Sequence, residues 1–410
     1  MNICQAAGAA PVIAVRRPPP PAGGWRIAAA AWMVTAVFIL SNSASPLYLH
    51  WQRQFAFSSA TMTVIFAAYI AGLLVALLVA GQLSDRLGRK AVLVPGFLFA
   101  MAACGLFATA SSVAALVAAR FLTGAAVGVM VSAGMAAVVD AGGPDRKRQA
   151  SLAASVAMVL GAGLGPLLAG TLAQLVGSPA RAIFGVELVL LATALAVMVA
   201  MPLPGLPQGG AGPAWRLRLP AVPAHNRLDL ALGIAVFAPG ISATSFVLSL
   251  GPALLSGLLH VGSPLAAGGT VCLMFMSATG VQFAVRRLSI RTVLLLGTAA
   301  TALAMAAMVV AVHAAVPALL LAAAVLAGMG QGLGQLGGLT AIGTKVPDRQ
   351  RAQANSLLNM GAYIPAGLLP VAAGFLADRA GLAAGATAFA VVLAAAAAAA
   401  ACFVAARMPR

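Results

Sequence analysis

Several residues in this chain sit where their neighbours give them no ordinary reason to be. The stretch GQLSDRLGRK at residues 81–90 puts one acid and three bases into ten positions, directly after the uncharged run IAGLLVALLVA. Arg86, Arg89 and Lys90 can pair with carboxylates, Asp85 among them. Gly81 lets a helix approach a neighbour closely, and Gly88 permits a tight turn. Arg120 lies inside an apolar run, with Gly124 and Gly128 one and two turns on. A charge at the centre of a bilayer costs at least about 2.5–3.5 kcal/mol on insertion scales, so such an arginine marks a function. Glu187 is the one acid well inside an apolar run. In GAGLGPLLAG, residues 161–170, Gly161, Gly165 and Gly170 allow tight packing. Pro166 removes an N–H there and bends the helix.

The elements that must position these residues follow from composition. The chain has 410 residues, 62% hydrophobic and 8% charged, with a mean hydropathy of +1.02. It offers many apolar runs of about 20 residues, the length of a membrane-crossing helix. Backbone groups in hydrocarbon must pair internally, which leaves helices or closed barrels, and unbroken apolar runs exclude the barrel. The reading is an all-α polytopic membrane protein of twelve spans, at about 26–47, 61–82, 91–110, 113–139, 150–175, 182–202, 229–256, 264–285, 292–313, 316–342, 352–376 and 382–406. With both termini inside, the inner loops collect 20 of the 24 bases, from Arg16 and Arg17 through Arg146, Lys147 and Arg148 to Arg407 and Arg410. Only Arg53, Arg181 and Arg379 fall outside, which is a strong positive-inside bias. That accounts for the net charge of +17 without nucleic acid, whose readers gather bases on one soluble face.

The expected organisation is a cytoplasmic tail at 1–25, a six-helix bundle at 26–202, a Pro- and Gly-rich linker at 203–228, a second bundle at 229–406 and a tail at 407–410. An internal echo supports the halves. PDRKRQA at 144–150 opens the fifth span and PDRQRAQA at 347–354 opens the eleventh, with Gly170 and Gly374 following at nearly the same spacing. Parallel repeats of this kind are typical of transporters that rock two bundles about a central site.

In this topology GQLSDRLGRK resembles, at every defined position, the G-x-x-x-D-R-x-G-R-K/R signature of the major facilitator superfamily, and the likeness extends over residues 26–406. The resemblance implies two bundles related by a pseudo-twofold axis. It also implies a cytoplasmic latch in which Asp85 faces the N-terminal end of the eleventh span, near Ala352. The corresponding loop of the second half, VRRLSIRTV at 285–293, has no acid or glycine, so the latch looks one-sided. Family members carry an arginine at the place of Arg120, implicated in proton transfer or in holding the cavity. The fifth span is similar to the G-x-x-x-G-P-x-x-G-G pattern of family exporters through Gly161, Gly165, Pro166 and Gly170, with Ala169 replacing one glycine. Its glycines are expected to pack against the eighth span.

By the same resemblance spans one, four, seven and ten line the cavity, backed by two, five, eight and eleven. The candidate substrate residues are Asn42, Tyr48, Tyr69, Gln282, Gln331, Gln335, Asn355, Asn359 and Tyr363. Few fixed charges and many apolar side chains suit amphiphilic cations and neutral compounds. The reading is therefore a secondary exporter of drug-like or small metabolite compounds in the bacterial inner membrane, driven by proton antiport and working as a monomer. Arg120 and Glu187 are the candidates for proton coupling. The alternatives are a sugar, amino-acid or other metabolite permease and, more distantly, a non-transporting receptor. No enzyme is expected. There is no HExxH, no phosphate-binding G-x-x-x-x-G-K-[ST] loop, and the four cysteines and four histidines are scattered. No cofactor or metal is called for.

Overall fold

The computed structural model describes residues 24–143, 145–201 and 222–408, except the side chains of Asp85, Asp348, Arg349 and Ala352. The expected N-terminal tail up to residue 23 and linker residues 203–221 lie outside the described residues. Among those described there is no strand, and twelve helical spans are long and apolar enough to cross a membrane. They are Gly24–Phe55, Ser59–Ser84, Arg89–Ala108, Val113–Gly142, Lys147–Leu175, Pro179–Ala200, Ala224–Gly257, Pro264–Ala284, Ile290–Ala314, Pro317–Lys345, Gln353–Ala380 and Leu382–Arg407. Serines start several of them. Ser58, Ser112, Ser263 and Ser289 each accept a backbone N–H from three residues on, as N-caps do. Between the second and third spans Gly88 has φ 86° and ψ 161°, a conformation open almost only to glycine.

Two spans depart from the expected run. The first does not stop at residue 47. A 3₁₀ turn at Ser45–Leu47, containing Pro46, tightens the chain, and a helix Tyr48–Phe55 continues beyond it. This piece, YLHWQRQF, is half polar and so carries no apolar-run signal, yet Tyr48 and Trp51 are buried. The fourth span widens into a π-helical turn at Met130–Gly134, a device frequent at functional sites.

Spans one to six and seven to twelve each pack around their own core. In the first bundle Trp51 stacks on Phe107 at 5.5 Å and Phe107 on Phe184 at 4.7 Å between centroids. In the second, Phe246 stacks on Phe389 at 4.2 Å. Such pairs contribute about 0.5–1.5 kcal/mol beyond area burial. The bundles meet along two seams, the second span with the eleventh and the fifth with the eighth. Most bases gather at one end of the molecule, the basic end. Two side-chain links between the bundles lie at the other, far end: Asp378 accepts from the N–H groups of Ser59 and Ala60, and Ser263 donates to Gln174.

The glycines explain how closely these seams approach, and they correct two expectations. A Cβ on Gly161 would lie 2.5 Å from the Thr35 carbonyl, and one on Gly165 would collide with that of Ile39. These two glycines therefore pack against the first span of their own bundle, not the eighth. Gly170 does meet the eighth span, where a Cβ would lie 2.5 Å from the Pro264 carbonyl, and Gly268 returns the contact against Pro166. Gly124 and Gly128 close on the second span, against Tyr69 and Leu73. The close approach expected at Gly81 is not made: among the described residues a Cβ there would meet nothing within 4 Å. The second and eleventh spans meet instead toward the far end, at Ile70 with Gly367 and at Thr63 and Ala60 with Gly374.

Candidate functional site

Arg120 is fully buried, with 0% exposure, and the surrounding structure is built around it. The helix Gly24–Ser43 ends just before Pro46, so its last carbonyls lack helical donors. Arg120 Nη1 donates to one of them, Ser41 O, at 2.7 Å. Its Nε donates to the Tyr48 hydroxyl at 2.6 Å. The rings of Tyr48, Phe66 and Tyr69 surround the guanidinium at 5.1, 5.8 and 5.9 Å, each a favourable cation–π placement. Nη2 has no partner among the described residues. The arginine thus ties the first, second and fourth spans together and keeps one donor in reserve.

Glu187, from the sixth span, points into the first bundle and is 1% exposed. It is near enough to Arg120 and Ser43 to feel the charge of one and the hydroxyl of the other. Ser43, however, donates to the Ile39 carbonyl at 2.8 Å, and neither Glu187 oxygen has a hydrogen-bond partner among the described residues. Leaving a buried carboxylate unpartnered costs several kcal/mol. A buried carboxyl group with neither oxygen hydrogen-bonded, within the field of a fixed guanidinium charge, is chemically suited to gaining and losing a proton at the carboxyl.

The other cavity candidates divide by depth. Tyr69 and Tyr363 are half-buried at the junction of the bundles, with Phe66 beside Tyr69 and Phe237 edge-on to Tyr363 at 6.4 Å. Tyr48, Phe66 and Tyr69 form the aromatic group around Arg120, and Tyr363 and Phe237 form a separate pair. Asn42 is buried and donates to Ser41 Oγ at 3.0 Å, so it buttresses the same turn. Gln331 and Gln335 are half-buried in the tenth span, and Gln331 Oε1 is unpartnered. Gln282, Asn355 and Asn359 lie toward the basic end, away from Arg120. Asn359 donates to the Asn355 carbonyl at 2.9 Å, and Asn355 Oδ1 has no partner among the described residues. A depression of about 500 Å³ opens at the far end beside His50, Gln54, Thr109 and Arg181, and contains none of the polar cavity candidates.

In the 81–90 stretch, Arg89 pairs with Asp140 at 3.2 Å and donates to Ser84 at 2.9 Å, and Lys90 donates to the Val199 carbonyl at 2.9 Å. These contacts tie the start of the third span to the second, fourth and sixth spans of the same bundle. Arg86 is exposed. The Asp85 side chain and its expected counterpart at Ala352 lie outside the described residues. Reading the sequence alone missed Asp378, which joins the bundles, Phe66, which completes the aromatic group around Arg120, and Phe237, which packs on Tyr363. Aromatic residues in an apolar chain carry no signal of their own. Asp378 does carry one, since its surroundings GFLADRAG repeat the pattern of GQLSDRLG.

Known proteins place this geometry. A protein of Streptomyces coelicolor described as "Probable actinorhodin transporter" is 33% identical over 189 residues, 46% of this chain and 30% of its own length. The 3-(3-hydroxy-phenyl)propionate transporter of Escherichia coli is 38% identical over 124 residues, 29% of each chain. The multidrug resistance protein MdtL of Escherichia coli is 40% identical over 74 residues, 17% of this chain and 18% of its own. The matched stretches span less than a third of each relative's length. A crystal structure of a D-xylose-proton symporter superposes with a TM-score of 0.72 at 14% identity, covering 93% of this chain and 97% of that one. The Major Facilitator Superfamily model matches residues 28–291 and 283–410. Twelve spans in two joined bundles and a family match over nearly the whole length make this chain a member of the Major Facilitator Superfamily.

Proposed function

We propose that the protein exports drug-like or small metabolite compounds by alternating access, coupled to proton antiport, with its basic end in the cytoplasm of a bacterial cell. What favours export is the similarity of the fifth span to the pattern of family exporters. Its Gly161, Gly165, Pro166 and Gly170 lock that helix to the first span on one side and to the eighth on the other. A span held this way seals the path between the bundles against leakage, as exchange requires. The similarity to the multidrug resistance protein MdtL supports this direction. Proton coupling rests on Arg120 and Glu187. Entry of a proton at Glu187 changes the balance with Arg120, and through Tyr48 and Ser41 moves the turn at the end of the first span.

A second reading is favoured by one feature. The buried cation Arg120, with Nη2 unmet beside Tyr69, disfavours cationic ligands and suits an acidic aromatic one, in keeping with the similarity to the hydroxyphenylpropionate transporter. In that reading the chain is a metabolite permease. Accumulation and susceptibility assays on a panel of lipophilic cations, neutral compounds and aromatic acids, in cells lacking their main exporters, separate the two. Lower accumulation and raised resistance support export. Energised uptake of an aromatic acid without resistance overturns it.

A further inference from the structure

The pattern G-x-x-x-D-R-x-G occurs twice, as GQLSDRLG at 81–88 and as GFLADRAG at 374–381. The first copy ends the second span and the second ends the eleventh. These two helices run antiparallel along one seam, so the copies sit at opposite ends of the molecule. Their closing glycines adopt the same backbone, φ 86° and ψ 161° at Gly88 and φ 92° and ψ 156° at Gly381. In the second copy the geometry is complete. Asp378 Oδ1 accepts from Ser59 N at 2.8 Å and Oδ2 from Ala60 N at 3.0 Å, the first two N–H groups of the second span. A helix N-terminus carries about half a positive charge and favours an anion. One turn before Asp378, Gly374 lets the helices touch, since a Cβ there would lie 3.0 Å from Ala60 Cα and Ser59 O.

The fifth span ends on a neutral variant of the same pattern, GTLAQLVG at 170–177. Gln174, in the place of the aspartate, accepts from Ser263, the residue that caps the eighth span. Gly170 supplies the close approach there. Both far-end seams are therefore fastened by a residue four positions after a packing glycine, reaching the start of the helix opposite.

We infer that Asp378 is a far-end latch, a second copy of the pattern at 81–88 turned toward the opposite end of the same helix pair. Engaged, it holds the far ends of the two bundles together; released, it lets them part. The two copies face opposite ends of one rocking pair, so closing one end opens the other. The inference rests on the alternating-access reading, but its test needs no substrate and no coupling ion.

Nitroxide labels at Ser111 and Ala314, far-end positions in different bundles, report the separation by pulsed electron resonance in nanodiscs, with the native cysteines replaced. The native residues at 59 and 378 should give mainly short distances. Asp378→Ala should raise the ratio of long to short distances about two- to fivefold. Ser59→Pro deletes the N–H that Oδ1 accepts, at a first helical position where proline is well tolerated, and should shift the ratio the same way by a smaller amount. In the Asp378→Ala background Ser59→Pro should add nothing, because the bond it removes is already gone. Unchanged distances in both single variants overturn the latch, as does a Ser59→Pro effect equally large with and without Asp378. If Asp378→Ala does not yield monodisperse protein, Ser59→Pro and Asp378→Asn decide in its place by the same readout.

Discussion

The Arg120 cluster makes separable demands on its members, and single substitutions can tell them apart. Tyr48→Phe keeps the ring and its cation–π contact but removes the acceptor for Arg120 Nε. A buried donor left unmet costs about 1–3 kcal/mol, so the purified variant should unfold at lower temperature in a detergent melt while remaining folded at rest. Glu187→Gln should behave differently. It replaces a carboxylate that has no hydrogen-bond partner with a neutral group of the same shape, so the melt should stay level or rise. Transport in everted vesicles should lose its dependence on the proton gradient. A Glu187→Gln variant whose transport still collapses with the gradient removes Glu187 from coupling. The identities of these residues stood out in the sequence because charge is rare in an apolar chain. Their partnership did not, since residues 48, 120 and 187 meet only through the packing of three separate spans.

At the level of the helices, glycine decides which neighbours touch. Gly165→Ala puts a methyl group into the Ile39 carbonyl, which is backbone and has little room to yield. Overpacking of this sort costs about 1–3 kcal/mol, and the expected result is a reduced monodisperse fraction on size-exclusion chromatography. Gly105→Ala and Gly269→Ala meet nothing within 4 Å and should match the parent chain. Equal behaviour of all three would mean that the first and fifth spans have room to separate. Span number was legible because hydrocarbon thickness demands about 20 apolar residues per crossing. Partner choice was not, because a glycine permits contact on any side. The same limit hid the extension of the first span to Phe55, where YLHWQRQF buries two aromatic rings under a polar face.

For the whole molecule, the distribution of charge and the arrangement of the seams make one joint prediction. The basic loops should face the cytoplasm by the positive-inside rule. The bundles are joined at the far end by Asp378 and Gln174, while Gly81 near the basic end faces open space. A cysteine at Gly81, in a chain stripped of its own cysteines, should then react with a membrane-impermeant maleimide in everted vesicles and stay unlabelled in intact cells. A cysteine at Ile70, buried against Gly367 at the seam, should react poorly in both preparations. Breaking the far-end closure with Asp378→Ala should raise its labelling in intact cells and lower that of Gly81 in vesicles, since two rigid bundles rocking against each other cannot part at both ends. Labelling of Gly81→Cys in intact cells would reverse the orientation. Independent changes at the two positions would mean that the bundles do not move as rigid bodies.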